Sequence, residues 1–152
     1  MEALCGLFHQ LGYATPSATL RQRFLDRFSD TDDRIHVAEI DGDILGVVVV
    51  NYVLPFHASG LWAMISALVV DDTARGKGVG AALLEHAASH ALDMGCTHIE
   101  LSSHESRTRA HEFYLKHGFA EVRKRFVRHL IPVTAQPPGS SSARKIGMLN
   151  RI

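Results

Sequence analysis

The chain reads as one α/β domain with the element order αα-β-β-β-α-β-α-β. Three observations predict it. An apolar strand at Leu61–Val70 runs through Asp71-Asp72-Thr73-Ala74 into a loop with three glycines, Gly76, Gly78 and Gly80, which opens directly into a helix. Upstream, Asp41-Gly42 divides two strand-like runs, the sequence signature of a tight hairpin turn. Downstream, too few residues remain for further strand–helix units, so a long parallel sheet does not fit.

Taken in order, Leu4, Leu7, Phe8 and Leu11 recur at helical spacing, and Gly12 ends that run. Thr15 or Ser17, around Pro16, begins a second helix with Leu20, Phe24, Leu25 and Phe28 as its apolar stripe. The polar run Ser29–Asp33 is a loop. Arg34–Ile40 and Asp43–Leu54 form the hairpin. The loop Pro55–Gly60 then leads into the strand Leu61–Val70. After the glycine loop come a helix at Gly78–Met94, a strand at Thr97–Ser103, and a helix at about Thr108–His117. Ala120–Ile131 alternates as a last strand. The expected domain is 1–131. The tail 132–152 is rich in Pro, Ser and Gly and is expected outside the core.

The glycine loop is where chemistry is expected. Glycine lets backbone N–H groups approach a ligand with no Cβ in the way, and a helix start adds unpaired N–H groups and a positive dipole end. Together these suit phosphate oxygens. A P-loop would need Lys-Ser or Lys-Thr after the glycines, and neither is present. A dinucleotide fingerprint can be laid on Gly76, Gly78 and Ala81, with Glu100 about twenty residues on. A third pattern, R/Q-x-x-G-x-G/A, fits Arg75, Gly78 and Gly80 outright.

That third pattern is the pyrophosphate loop of the GNAT (GCN5-related) N-acetyltransferase superfamily, which the chain resembles. The segment Ala110-His111-Glu112-Phe113-Tyr114-Leu115-Lys116-His117-Gly118-Phe119 is similar to the superfamily's A-x-x-F-Y-x-x-x-G-F signature, and it follows in the right order. The resemblance covers about 1–131. It implies a GNAT fold: a mixed, mostly antiparallel sheet flanked by helices, with Leu61–Val70 and Thr97–Ser103 splayed apart. Family members start with a strand before the first helix, whereas here Met1 already sits in that helix. Either the true start lies upstream of Met1, or the sheet edge so exposed is covered by the tail or by a second subunit of a homodimer. Phe56-His57, Ile99-Glu100-Leu101-Ser102, the Ala110–Tyr114 segment and Arg125-Phe126 resemble aminoalkylphosphonate N-acetyltransferases and similar small-amine acetylators.

The resemblance implies acetyl-CoA as cosubstrate and a small-molecule amine as acceptor. The loop Arg75, Gly76, Lys77, Gly78, Val79, Gly80 and Ala81 would hold the pyrophosphate. Backbone amides around Leu68, Val69 and Val70, freed by the splay, would bind the pantetheine arm as an added strand. The amide of Val69 or Val70 is the candidate donor to the carbonyl oxygen. Tyr114 matches the family's thiol-protonating tyrosine. Arg107 stands where many relatives carry an asparagine that contacts the cofactor, and adjacent Ser106 is the candidate replacement.

The amine must be neutral to attack, so a base is needed. Relatives often carry a glutamate in the strand before the loop, but this chain has Met64-Ile65-Ser66-Ala67 there. Alternation puts Glu100 opposite Ile99 and Leu101, where it could face the amine. His57, His104 and His111 are further candidates. His86 and His90 have the i, i+4 spacing of metal ligands, but they lack H-E-x-x-H form, so they are expected as exposed side chains and no metal is expected. Cys5 and Cys96 form no motif, which favours direct transfer over an acyl-cysteine and suits a reduced cytoplasmic setting.

Composition agrees. A chain of 152 residues with 46% apolar and 21% charged content can bury one core. Sixteen basic residues balance sixteen acidic ones, which favours neither nucleic acid nor an anionic membrane as partner. The longest apolar run, Ile44–Leu54, is too short to span a bilayer. The other readings are a CoA-binding sensor without catalysis, prompted by the missing strand glutamate, and a Rossmann-type oxidoreductase.

Overall fold

A computed structural model describes residues 2–12, 16–30, 34–122, 126 and 128. The chain divides into two units, Met1–Val122 and Arg123–Ile152, and the elements below all belong to the first. Two helices come first, α1 (Glu2–Gln10) and α2 (Ser17–Asp30). Three strands follow, β1 (Arg34–Ile40), β2 (Asp43–Val53) and β3 (Leu61–Val70). A short 3₁₀ turn at Asp72–Ala74 precedes α3 (Val79–Asp93), then β4 (Cys96–Leu101) and α4 (Thr108–Lys116).

The sheet order is β1-β2-β3-β4, with β1/β2 and β2/β3 antiparallel and β3/β4 parallel. A doubly wound dinucleotide fold, which needs a mostly parallel sheet, is thereby excluded. Asp41 (φ 55°) and Gly42 (φ 88°) both take positive φ, as a type I′ hairpin turn requires.

Helices cover both faces. On one face α3 packs Val79, Leu83, Leu84, Ala87 and Ala91 against Val48, Val50 and Tyr52 of β2 and Ala63 and Ile65 of β3. On the other, Leu4 and Leu7 of α1 meet Val47, Val49 and Val69. Strand β2 is therefore buried on both sides, which explains its run of four valines in place of alternation. Each such valine or leucine, fully buried, stabilises the fold by about 1.5–3 kcal/mol.

A bulge sets the geometry of the sheet's centre. Val49 pairs with Ala67 and Val50 with Ile65, so Ser66 is an extra residue in β3. A one-residue insertion inverts which face each later side chain takes. Ala63 and Ile65 accordingly face α3, whereas Ala67 and Val69 face the α1 side. Pairing with β4 ends at the same place, at Ile65 with Leu101. Beyond it, Ser66–Val70 has β2 on one side and no strand partner on the other among the described residues. The two strands part here, as the resemblance implies.

Several expectations shift. The last described strand is Cys96–Leu101, not Thr97–Ser103, because its partner bulges at Ser66 and pairing cannot continue. Helix α2 runs through Asp30, where a loop was expected from Ser29, since a final helical turn needs no apolar residue. Leu20 and Phe24, one helical turn apart, reach the α1 cluster, but Leu25 lies about 100° further round and stays exposed. The side chain of Phe28 lies outside the described residues, as do the tail 132–152 and, apart from 126 and 128, the expected strand Ala120–Ile131 from residue 123 onward. No described helix is long and apolar enough to cross a membrane.

Candidate active site

The glycine loop is pinned at both ends. Asp71 caps the 3₁₀ turn, accepting from the backbone N–H of Thr73 at 2.9 Å and from its hydroxyl at 2.5 Å. Gln10, the last residue of α1, donates to Asp71 at 3.1 Å and accepts from the Asp72 N–H at 3.1 Å. The Thr73 hydrogen bonds, with help from Gln10, hold the Asp71 carboxyl below its usual value. Arg75 pairs with Asp72 at 2.5 Å on the open surface. Gln10 and Asp71 were not singled out by motif. Asp71 carried the ordinary cap signal, but Gln10 becomes relevant only when α1 folds onto the loop.

The helix start is equally well placed. Gly46 of β2 leaves no room for a Cβ, which would come within 2.8 Å of Leu83 and 3.2 Å of Val79, so α3's first turns seat directly on the sheet. Gly78 is the α3 N-cap at φ 83° in the left-handed region, and Gly76 sits at φ 78°. A Cβ on either would meet nothing within 4 Å. The loop is open on its outer side, and the first N–H groups of α3 (Val79, Gly80, Ala81) have no preceding helical carbonyl to bond. An open loop ending on unbonded helix N–H groups has the donors that a diphosphate would need.

Gly80 differs. Its φ is ordinary, and a Cβ there would lie 3.4 Å from Val70 and 3.5 Å from Phe113. Phe113 of α4 thus rests against the first turn of α3, which brings Tyr114 to the same end of the domain. Tyr114 packs against Phe113 (ring centroids 5.5 Å apart) and Phe119 (5.8 Å) at the margin of the α3-side core. Burial raises its phenol pKa above the ordinary value, with the Arg107 guanidinium opposing in part. The phenol therefore keeps its proton at neutral pH.

Leu68, Val69 and Val70 lie on the stretch of β3 beyond the parting from β4. Glu100 pairs with half-exposed Met64 just before that point, while Ile99 and Leu101 turn into the α3-side core. Its carboxylate is thus on the opposite face, as alternation predicted. Ser106 is exposed between β4 and α4, its hydroxyl 2.9 Å from His104 Nδ1. The loop, the free β3 edge and Tyr114 cluster at the C-terminal end of β3, and Glu100 stands beside the mouth of the splay.

One histidine expectation is corrected. His86 is exposed, but His90 is partly buried, with its Nδ1 2.7 Å from the Tyr52 hydroxyl. His86 Nε2 also lies 3.1 Å from Nδ1 of His36. Burial, then His86 and His90, depress the His36 pKa. The pairing strands β1 and β2 supply these partners, which helix spacing alone does not show. Among the described residues no group of three or more His, Cys, Asp or Glu is arranged to hold a metal ion.

Comparison with known proteins agrees with this geometry. The Acetyltransferase (GNAT) family model matches residues 2–119. An aminoalkylphosphonate N-acetyltransferase of Salmonella typhimurium is 31% identical over 113 residues, covering 72% of this chain and 73% of that protein. A crystal structure described as a transcriptional regulator from Bacillus halodurans C-125 superposes with a TM-score of 0.70 at 26% identity, covering 76% of this chain and 77% of that one. A GNAT family acetyltransferase of Staphylococcus aureus superposes with a TM-score of 0.74 at 22% identity, over 85% and 88% of the two chains, and shares the fold. The strand that parts at Ser66, the cradle that follows it and these matches together place the chain in the GNAT family, as an acetyl-CoA-dependent N-acetyltransferase.

Proposed function

We propose that the chain transfers an acetyl group from acetyl-CoA to the primary amine of a small molecule, directly and within one ternary complex. The observation that carries this reading is the coincidence of the β3–β4 parting with the glycine cradle, one strand-end apart. Acetyl-CoA would supply an acyl thioester activated for attack by nitrogen. The N–H groups of Gly76–Ala81 would hold its pyrophosphate, with Arg75 and Lys77 adding charge and Ser106 a polar contact. The unpaired edge at Leu68–Val70 would align the pantetheine, and the amide of Val69 or Val70 would donate to the carbonyl oxygen as charge develops there. Glu100 would take the ammonium's proton, and Tyr114 would give a proton to the departing thiolate. A small acceptor is supported by the Salmonella relative, whose name specifies an aminoalkylphosphonate. Cys5 and Cys96 are free thiols, in keeping with direct transfer and with a reducing cytoplasm.

Thermal denaturation tests the cofactor half of this reading. CoA or acetyl-CoA at a hundred times its Kd should stabilise the fold by about 2.7 kcal/mol, roughly 5–11 °C in Tm for a domain of this size. NADH should leave Tm unchanged. Stabilisation by NADH with CoA silent would reject the proposal.

A further inference from the structure

Beside the splay, β4 carries a run of polar contacts that the motifs do not include. The Thr97 hydroxyl lies 3.3 Å from the Leu61 carbonyl oxygen and 3.2 Å from Nδ1 of His98. A carbonyl only accepts, so the single hydroxyl hydrogen is assigned to Leu61. Thr97 can then only accept from His98, which assigns the imidazole hydrogen to Nδ1. Nε2 of the neutral ring is left as a lone pair. That nitrogen is buried, has no hydrogen-bond partner among the described residues, and stands 3.4 Å from Oε2 of Glu100. In this tautomer two acceptors face one another.

The surroundings hold this arrangement in place. Trp62 pairs with His98 across β3 and β4, their ring centroids 4.7 Å apart. His57, from the preceding loop, meets Trp62 edge-on at 5.8 Å. A Cβ on Gly60 would fall 2.5 Å from Thr97 Cγ2, so the glycine leaves room for the threonine's position. Among the described residues, His98 is faced by Thr97 and Glu100 on its own strand and by Trp62 on β3, with His57 behind Trp62.

We propose that His98 and Glu100 form a slot for one proton, which receives the proton that the acceptor ammonium must lose before it attacks. This rests on Glu100 facing the amine, as proposed above. In the step, one ammonium N–H bond breaks. The proton passes by way of Glu100 Oε2 to Nε2, where a new N–H bond forms. The pair goes from neutral imidazole and carboxylate to an imidazolium–carboxylate ion pair, and the amine keeps its electron pair for the thioester carbonyl. Both side chains are about one-third exposed, so the proton reaches water once the amide has left. Glu100 meets the substrate. His98 acts through it and is a positioning residue.

Nitrogen-15 NMR of the imidazoles and steady-state kinetics test this together. Wild-type His98 should show the Nδ1–H tautomer near neutral pH. Thr97→Val should turn it to Nε2–H, fill the slot from within and slow turnover, with both members still present. His98→Gln should lower kcat on the order of tenfold, leave the acetyl-CoA KM unchanged, and recover in part as pH rises and the amine arrives neutral. The His98→Gln/Glu100→Gln double variant should be no slower than Glu100→Gln alone, because the two act as one unit. An Nε2–H tautomer in the wild type overturns the slot whatever the kinetics. If Glu100→Gln is impaired but His98→Gln and Thr97→Val match wild type, the slot falls and the role of Glu100 stands. If Glu100→Gln is itself fully active, both fall.

Discussion

Tyr114→Phe should lower kcat about a hundredfold or more, the usual loss when a general acid is removed, with CoA affinity nearly intact. The substitution deletes one hydroxyl and keeps the ring that packs on Phe113 and Phe119, so the melting temperature should hardly move. The pH profile gives a second check. Burial raises the phenol pKa above its ordinary value of 10.0, so the acid stays protonated through the neutral range. Wild-type kcat should therefore show no alkaline fall due to Tyr114 below the ordinary phenol range. A fully active phenylalanine variant would show that Tyr114 is a packing residue and nothing more.

Gly78→Val should raise the apparent acetyl-CoA constant on the order of ten- to a hundredfold. Gly78 is held at φ 83°, a conformation that costs a β-branched residue about 1–3 kcal/mol or more, and relieving that strain turns the cradle's amides away from the phosphates. Gly80→Ala makes a sharp control. Its backbone is ordinary and its new methyl would sit at contact distance from Val70 and Phe113, so binding should be close to normal. Arg75→Ala should fall between the two, since it removes an exposed charge already paired with Asp72 and no backbone donor. Titration calorimetry with CoA measures all three. Normal CoA binding by Gly78→Val would reduce the loop to a turn.

Local signals carried far in this chain. The strand Leu61–Val70, the Asp41-Gly42 turn and the helix after the glycines stand where a bounded apolar run, turn chemistry and the glycine loop put them. These features are written in consecutive residues. What sequence did not show depends on register between distant segments. The Ser66 bulge flips the facing of every later β3 residue and ends pairing with β4, yet serine in a strand looks unremarkable. Glu100 was legible by alternation, whereas His98 gained meaning only from its pairing with Trp62 and its contact with Thr97. His90 looked like a surface residue until Tyr52 supplied its partner from another strand. Gly78 and Gly80 look equivalent in the motif, and only their backbone angles and neighbours separate them.

Acetyl transfer to a small primary amine can be followed as free-thiol release from acetyl-CoA across a broad panel of such amines, aminoalkylphosphonates included. Amine-dependent thiol release is expected with one or more of them, matched mole for mole by acetylated product. Tight CoA binding with no acetylation of any amine in the panel would contradict it, and would leave a CoA-responsive binding domain in its place.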